Sequence, residues 1–490
     1  MGKNLRAGLF ASWMLAFVCA GGPAAAGQLT LGNGSANPIT CTVDGYGSQV
    51  FTVPALGSVD VPVNAGARAI NSVQCGGLAT RMMNITQAGP DGTLALNGQQ
   101  TRVLNVALYS FIPNAPGATF ENLVNLVIDA YQQANPQVLL NAQMNPVAQG
   151  ASPTRIYNFD ELSAQLQQGG FDVMEIDTIY IGYLADSGLI NPATIDPNGD
   201  APLPVALNAA THNGTLWAIP SWLCMDFLYS RSRGVQGVTN LAQLQAFLAG
   251  TPQGTPQLVG DYDGSWRLPS MYINAYAQTY GTGRLNRAFV MPPDPAVIQN
   301  MLTVAATCAT NNANPCIDGT YHGSATPGVT EQAFATGQAG ADMGFSEQSF
   351  YINTYAPAAP LYVTPAVWGN QPQPLLFSDA FVTSSANCPS GTQCSIDANA
   401  FTTLMTGQAV KSTIVEAGDL GPGSPWRTLL VATQPFYGRQ EIANNPLYQQ
   451  YVQVFATAQP FPNMFTGRLQ TEMKTQICQA LKAMQPNYSC

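Results

Sequence analysis

"VLNVALYSF" at 103–111, "ATFENLVNLVIDAYQQANP" at 118–136 and "QVLLNAQ" at 137–143 follow one another in this chain. The outer two are short apolar runs of the kind that form buried strands. The middle one sets apolar residues at 120, 123, 124, 127, 128 and 131, the spacing of one helix face, with Thr119 as a candidate N-cap. The order is therefore strand, helix, strand. It recurs at once: "NFDELSAQLQQGG" (158–170) reads as a short helix stopped by Gly169 and Gly170, and "FDVMEID" (171–177) as a strand ending at Asp177. Such alternation predicts an α/β domain with a mostly parallel sheet, whose ligands sit beyond the carboxyl ends of the strands. Tyr109 and Asp177 fall there.

Downstream, "LWAIPSWLCMDFLYSR" (216–231) reads as a long apolar strand crossing from one lobe to another, followed by the helix "TNLAQLQAFLAG" (239–250). Strands return from about Pro374, and the C-terminal end is helical. A chain that leaves a lobe and comes back predicts a two-lobed, hinge-closing binding fold with its ligand between the lobes. Upstream, residues 27–100 have a different texture. "QVFTVPALGSVDVPV" (49–63) alternates apolar and polar residues, and "LGNGS", "GPDG" and "NGQ" punctuate the region with turns. The expected division is a leader over 1–26, a small disulfide-stapled β domain over 27–100, and the two-lobed domain over 101–490.

The leader has Lys3 and Arg6 in a basic head, an apolar run from Ala7 to Ala20, and Ala24 and Ala26 in an A-x-A pattern, which is a signal peptide cut after Ala26. A lipoprotein anchored at Cys19 is the second choice, because Val18 stands where a small residue is expected. No later apolar run approaches the ~20 residues of a membrane span. A secreted or periplasmic, soluble protein is expected, and the sequons at Asn33, Asn84, Asn213 and Asn487 matter only in a host that glycosylates. The chain carries 27 acidic against 17 basic residues, a net charge of −10. That balance argues against a nucleic-acid partner and suits a cationic small ligand.

Ten cysteines include Cys19 in the leader. Eight of the rest fall into sequence neighbours: 41 with 75, 308 with 316, 388 with 394, and 478 with 490. Cys224, in "SWLCMDFLYSR", is left over. In an exported protein an unpaired thiol is either a small buried hydrophobe or a reactive group. His212 and His322 are the only histidines, both in polar loops, so a histidine base is hard to assemble, and zinc-ligand clusters are lacking. A base for Cys224 is expected to be a carboxylate. "ADMGFSEQSF" (341–350) delivers Glu347 after a strand, where an apolar cleft would raise its pKa toward that of a thiol.

"FDVMEIDTIYIGYLADSGLINP" (171–192), "AIPSWLCMDFLYSR" (218–231), "MGFSE" (343–347), "LFSDAF" (376–381) and "WRTLLVATQPFYG" (426–438), in that order, resemble thiaminase I, from about Val103 to Leu469. The resemblance implies the periplasmic-binding-protein type II fold and a transferase that replaces the thiazole of thiamine by an amine or another nucleophile, as a monomer and with no cofactor or metal. It puts the catalytic cysteine on Cys224 and the catalytic glutamate on Glu347. Asp177 and Asp379 become the carboxylates that hold the aminopyrimidine, with Tyr109, Tyr157, Trp222 and Phe345 as cleft walls. Phe345 and Phe377 stand where the family commonly has tyrosine. A non-catalytic solute-binding protein shares the fold without needing the thiol, and a cysteine hydrolase acting on amides is a third reading.

Overall fold

The computed structural model describes residues 27–32, 38–44, 49–54, 58–63, 72–75, 78–79, 93–97, 102–109, 111–114, 120–135, 138–144, 159–167 and 171–490, apart from 265, 311–312, 323, 325–327 and 358. The leader, Thr119 and Tyr157 lie outside the described residues. Two compact units divide the chain. One comprises Met1–Asn105 with Gln132–Asn141, the other Val106–Tyr131 with Ala142–Cys490.

In the smaller unit, Gly27–Gly32 pairs antiparallel with Ser58–Val63 and parallel with Thr93–Asn97. Ile39–Asp44 lies between Gln49–Val53 and Ser72–Cys75, antiparallel to both. That register sets Cys41 opposite Cys75, and Cys41 is disulfide-bonded. These are short strands, as the alternation in "QVFTVPALGSVDVPV" predicts.

The chain then runs through β1 (Arg102–Leu108), α1 (Glu121–Ala134) and β2 (Val138–Met144), each shared between the two units, and on in the larger unit through α2 (Phe159–Gln167) and β3 (Val173–Asp177). Leu123, Val127 and Tyr131 of α1 are fully buried, one on each successive turn, which is the stripe that the sequence spacing predicts. β3 is buried along its whole length and pairs in parallel with β1.

The apolar run at 216–231 is two strands. β4 (Ile219–Cys224) lies in the main sheet, and β5 (Asp226–Ser230) lies in a second, three-stranded sheet between β6 (Asp342–Phe345) and β7 (Tyr362–Pro365). The chain passes from one lobe to the other at Met225. It returns through β8 (Leu375–Thr383), which sits between β3 and β4 and is antiparallel to both. The expectation of a mostly parallel sheet is thus corrected. A strand coming back from the second lobe re-enters at the end where β4 left, so it must run against β4. Beyond it, α3 (Gln408–Val415) packs next to the main sheet, β9 (Leu430–Val431) forms its edge beside β4, and α4 (Gly467–Met484) gives the expected helical C-terminal end.

Disulfides join Cys308 to Cys316, Cys388 to Cys394 and Cys478 to Cys490. Among the described residues Cys224 is the free cysteine. No helix of the described residues is long and apolar enough to cross a membrane.

Candidate active site

Strand register assembles the site. On β8, Asp379 is opposite Asp177 of β3 on one side and Trp222 of β4 on the other, and Phe377 is opposite Cys224. Residues opposite one another in a sheet share a face, and the face repeats every second residue. Cys224, Trp222, Phe377, Asp379 and Asp177 therefore belong to one face. Glu175, two residues before Asp177, joins them. The register of β4 against β8 slips between Pro220 and Trp222, which leaves Ser221 as the extra residue of a bulge.

Cys224 ends β4 at the lobe crossing and is half-buried. Its thiol donates to Glu347 Oε2 at 3.1 Å, and the Ser346 hydroxyl donates to the same oxygen at 3.1 Å. Glu347 follows β6, whose Phe345 pairs with Asp226, two residues beyond Cys224. Thiol and carboxylate, 123 residues apart in the chain, meet because their strands are neighbours at the joint.

Burial dominates the electrostatics. It pushes the Cys224 thiol well up, helped by the negative charges of Glu347 and Asp379, and it raises Glu347 above the usual carboxylate range. Asp177 is pushed up to about 7 by burial, with Glu347 adding to the shift against the hydrogen bond from Ile179 N–H. Asp379 is raised well above its ordinary value, by burial first and then by Asp177, Glu175 and Glu347. The neighbouring negative charges disfavour the anionic forms of Asp177 and Asp379, and a cation arriving among them relieves that repulsion.

The other expected wall residues are placed as follows. The Tyr109 side chain hydrogen-bonds to Asp379, and its backbone N–H donates to Glu175 Oε2 at 2.9 Å. Phe345 is half-buried beneath the Arg267 guanidinium, 4.6 Å from the ring centroid, and Arg267 is hydrogen-bonded to buried Asp226. Trp222 is not an open wall. It is 2% exposed, with Lys411 Nζ 3.3 Å from its ring centroid. Phe377, opposite the thiol, stacks on Phe461 at 4.2 Å and meets Trp266 edge-on.

Sequence reasoning missed Glu175, Ser221 and Lys411. Glu175 had a signal, since it alternates with Asp177 in "VMEID". Lys411 had a weaker one, as a single charge in the otherwise uncharged helix "QAVKSTIV". The histidines stand apart from the thiol, His212 on Asp186 at 2.9 Å and His322 on Asp261 at 3.0 Å. Among the described residues, the group spaced for a metal is Asp172 with Cys388 and Cys394. Those two sulfurs are bonded to each other and offer no thiolate.

No family model matches the chain. A curated relative, Thiaminase-1 of Paenibacillus thiaminolyticus, is 26% identical over 326 residues, 63% of this chain and 72% of that protein. The solved thiaminase I of Bacillus thiaminolyticus matches with a TM-score of 0.60 and 22% identity, over 77% of this chain and 99% of that one. Clostridium botulinum thiaminase I, solved in complex with thiamin, matches with a TM-score of 0.58 and 18% identity, over 77% and 100%. The maltose-maltodextrin binding protein of Alicyclobacillus acidocaldarius has the same architecture, with a TM-score of 0.52 and 15% identity over 79% and 99%. In sequence the chain is similar to thiaminase I, and its fold is the two-lobed periplasmic-binding-protein fold.

Proposed function

We propose that this protein is a thiamine-degrading transferase in which Cys224 is the nucleophile and Glu347 its base. The observation that carries the reading is the 3.1 Å contact between the Cys224 thiol and Glu347 in a protein whose other described cysteines are disulfide-bonded. A solute-binding protein has no need of that pair. With no histidine near the thiol, a carboxylate raised by burial is the available proton acceptor.

The chemistry follows from the groups. Glu347 takes the proton of the thiol as Cys224 sulfur bonds to the pyrimidine ring of thiamine. The bond between the methylene carbon and the thiazolium nitrogen then breaks, and the thiazole leaves neutral with the electron pair. Glu347 releases the thiol proton to solvent, an amine or thiol adds at the methylene carbon and gives its own proton to Glu347, and sulfur is expelled as the ring regains its aromaticity, taking that proton back to restore the thiol. The buried carboxyl groups of Asp177 and Asp379 hydrogen-bond the aminopyrimidine, and the aromatic faces of Phe345 and Tyr109 flank it. Tyr157 belongs to the same proposed wall. The acidic site favours the cationic substrate over its neutral product. We place the protein outside the cytoplasm, secreted or periplasmic, as a monomer, with residues 27–100 as an accessory β domain.

The test is to incubate purified protein with thiamine plus pyridine or an aromatic amine and to follow the loss of thiamine. Turnover by the wild type, abolished in Cys224→Ser while thiamine still binds, is the expected result. Binding without turnover in the wild type would make the chain a solute-binding protein.

A further inference from the structure

Lys411 lies in α3 and is fully buried. A buried ammonium persists only where its environment repays the lost hydration, and every group that does so here belongs to the candidate site or touches it. Nζ donates to Ser221 Oγ at 2.5 Å, and Ser221 in turn donates to Glu175 Oε1. The second oxygen of Glu175 accepts the backbone N–H of Tyr109 at 2.9 Å, and the Tyr109 side chain hydrogen-bonds to Asp379. Nζ also lies against the faces of Trp222 at 3.3 Å and Phe381 at 5.9 Å. One cation therefore reaches two of the expected wall residues and, through Tyr109, the carboxyl group between Asp177 and Trp222 in the sheet. The bulge makes this possible, because it removes Ser221 from the regular face alternation. Being fully buried, neither Lys411 nor Ser221 is open to a substrate.

We propose that Lys411 is a positioning residue. Through Ser221 and Glu175 it fixes Tyr109, and through its charge it holds the Trp222 ring, so that Asp379 and Asp177 stand ready for the pyrimidine. The assignment to pyrimidine binding rests on the thiaminase reading, whereas the link to Tyr109 does not. Burial pushes Lys411 down to about 7 against the pull of Glu175 and Asp379, so the surroundings repay the lost hydration only in part and the ammonium form is the one held below that pH.

The experiment compares wild type, Lys411→Met, Lys411→Arg and the double variant Lys411→Met/Glu175→Gln. Five quantities are read: KM and kcat for thiamine, hydrogen exchange at the Tyr109 amide, alkylation of Cys224, and Tm. Lys411→Met should raise KM by about tenfold or more, the scale of a buried partner left unpaired. It should leave kcat within a few-fold, speed exchange at Tyr109, and leave Cys224 alkylation unchanged. The double variant, with no orphaned carboxylate, should recover KM and Tyr109 protection toward wild type. A tie that served stability alone would lower Tm without moving KM. Unchanged KM and Tyr109 exchange in folded Lys411→Met overturns the proposal, as does joint loss of kcat and Cys224 alkylation. If Lys411→Met does not fold, Lys411→Arg and the double variant carry the same comparison, and failure of the double variant to recover Tyr109 protection overturns it. A wild type that cleaves no thiamine refutes the function, while Tyr109 exchange in the variants still decides the positioning.

Discussion

In the proposed reaction burial works against ionisation of both partners, favouring the neutral thiol of Cys224 and raising the carboxyl group of Glu347. Burial makes the carboxylate more basic but also makes the thiol less acidic, so both shifts enter the proton transfer between them. Glu347→Gln should abolish turnover while leaving the thiol in place, and the Cys224→Ser/Glu347→Gln double variant should be scarcely worse than either single one in single-turnover assays, as for groups acting in one step. In the wild type, kcat/KM should fall on the acid side at a pH above the ordinary carboxylate range, because the base must be ionised to act. Asp177 provides a stability test. Its folded pKa of about 7 lies above the ordinary 3.8, so the native state holds the proton more tightly than the unfolded chain. The stabilisation is full below the ordinary value and is lost as pH rises through about 7. Asp177→Asn, which keeps an acceptor for Ile179 N–H, should raise Tm at pH 8 by removing a penalty on the order of a few kcal/mol, and should weaken thiamine turnover. A Tm at pH 8 no higher than wild type would show that Asp177 bears its charge without cost.

At the scale of elements, periodicity carried much of the fold into the sequence. The face of α1 at Leu123, Val127 and Tyr131 and the strand ending at Asp177 were legible because each is a local pattern. The direction of β8 was not, since an apolar run has the same composition whichever way it points in the sheet. The break at Met225 was hidden for a similar reason: β4 and β5 are both buried, and their apolar runs are continuous. In the site, the odd cysteine came from a count, Glu347 from its place after a strand, and their pairing from family resemblance. The Lys411, Ser221 and Glu175 chain came from neither, because a bulge and contacts 46 and 190 residues apart create it. Ser221→Ala would leave the lysine and the glutamate without their bridge, and should cost about 1–3 kcal/mol in denaturant unfolding, the penalty for unsatisfied buried polar groups. An unchanged midpoint would mean that Lys411 reaches Glu175 without the hydroxyl.

For the molecule as a whole, alkylation under non-reducing conditions followed by peptide mapping should find Cys224 as the single modified site. A disulfide through Cys224 would sink its assignment as a nucleophile. Residues 27–100 carry no group of the proposed chemistry, so a chain begun at Thr101 that folds should retain turnover. Loss of activity in a folded truncation would give the β domain a part in the reaction.

The crossing at Met225 bears on how long a substrate stays. An ordinary binding protein of this architecture lets its cargo go when the lobes part, because the cargo is held by contacts shared between them. A pyrimidine bonded to Cys224 would instead be moored at the joint, one residue before the chain changes sheets. Opening would then admit the second reactant and discharge the thiazole without casting off the bonded half. Under the proposed chemistry, dwell time would be set by bond exchange at sulfur, and the lobes would serve as doors for everything except the captive fragment.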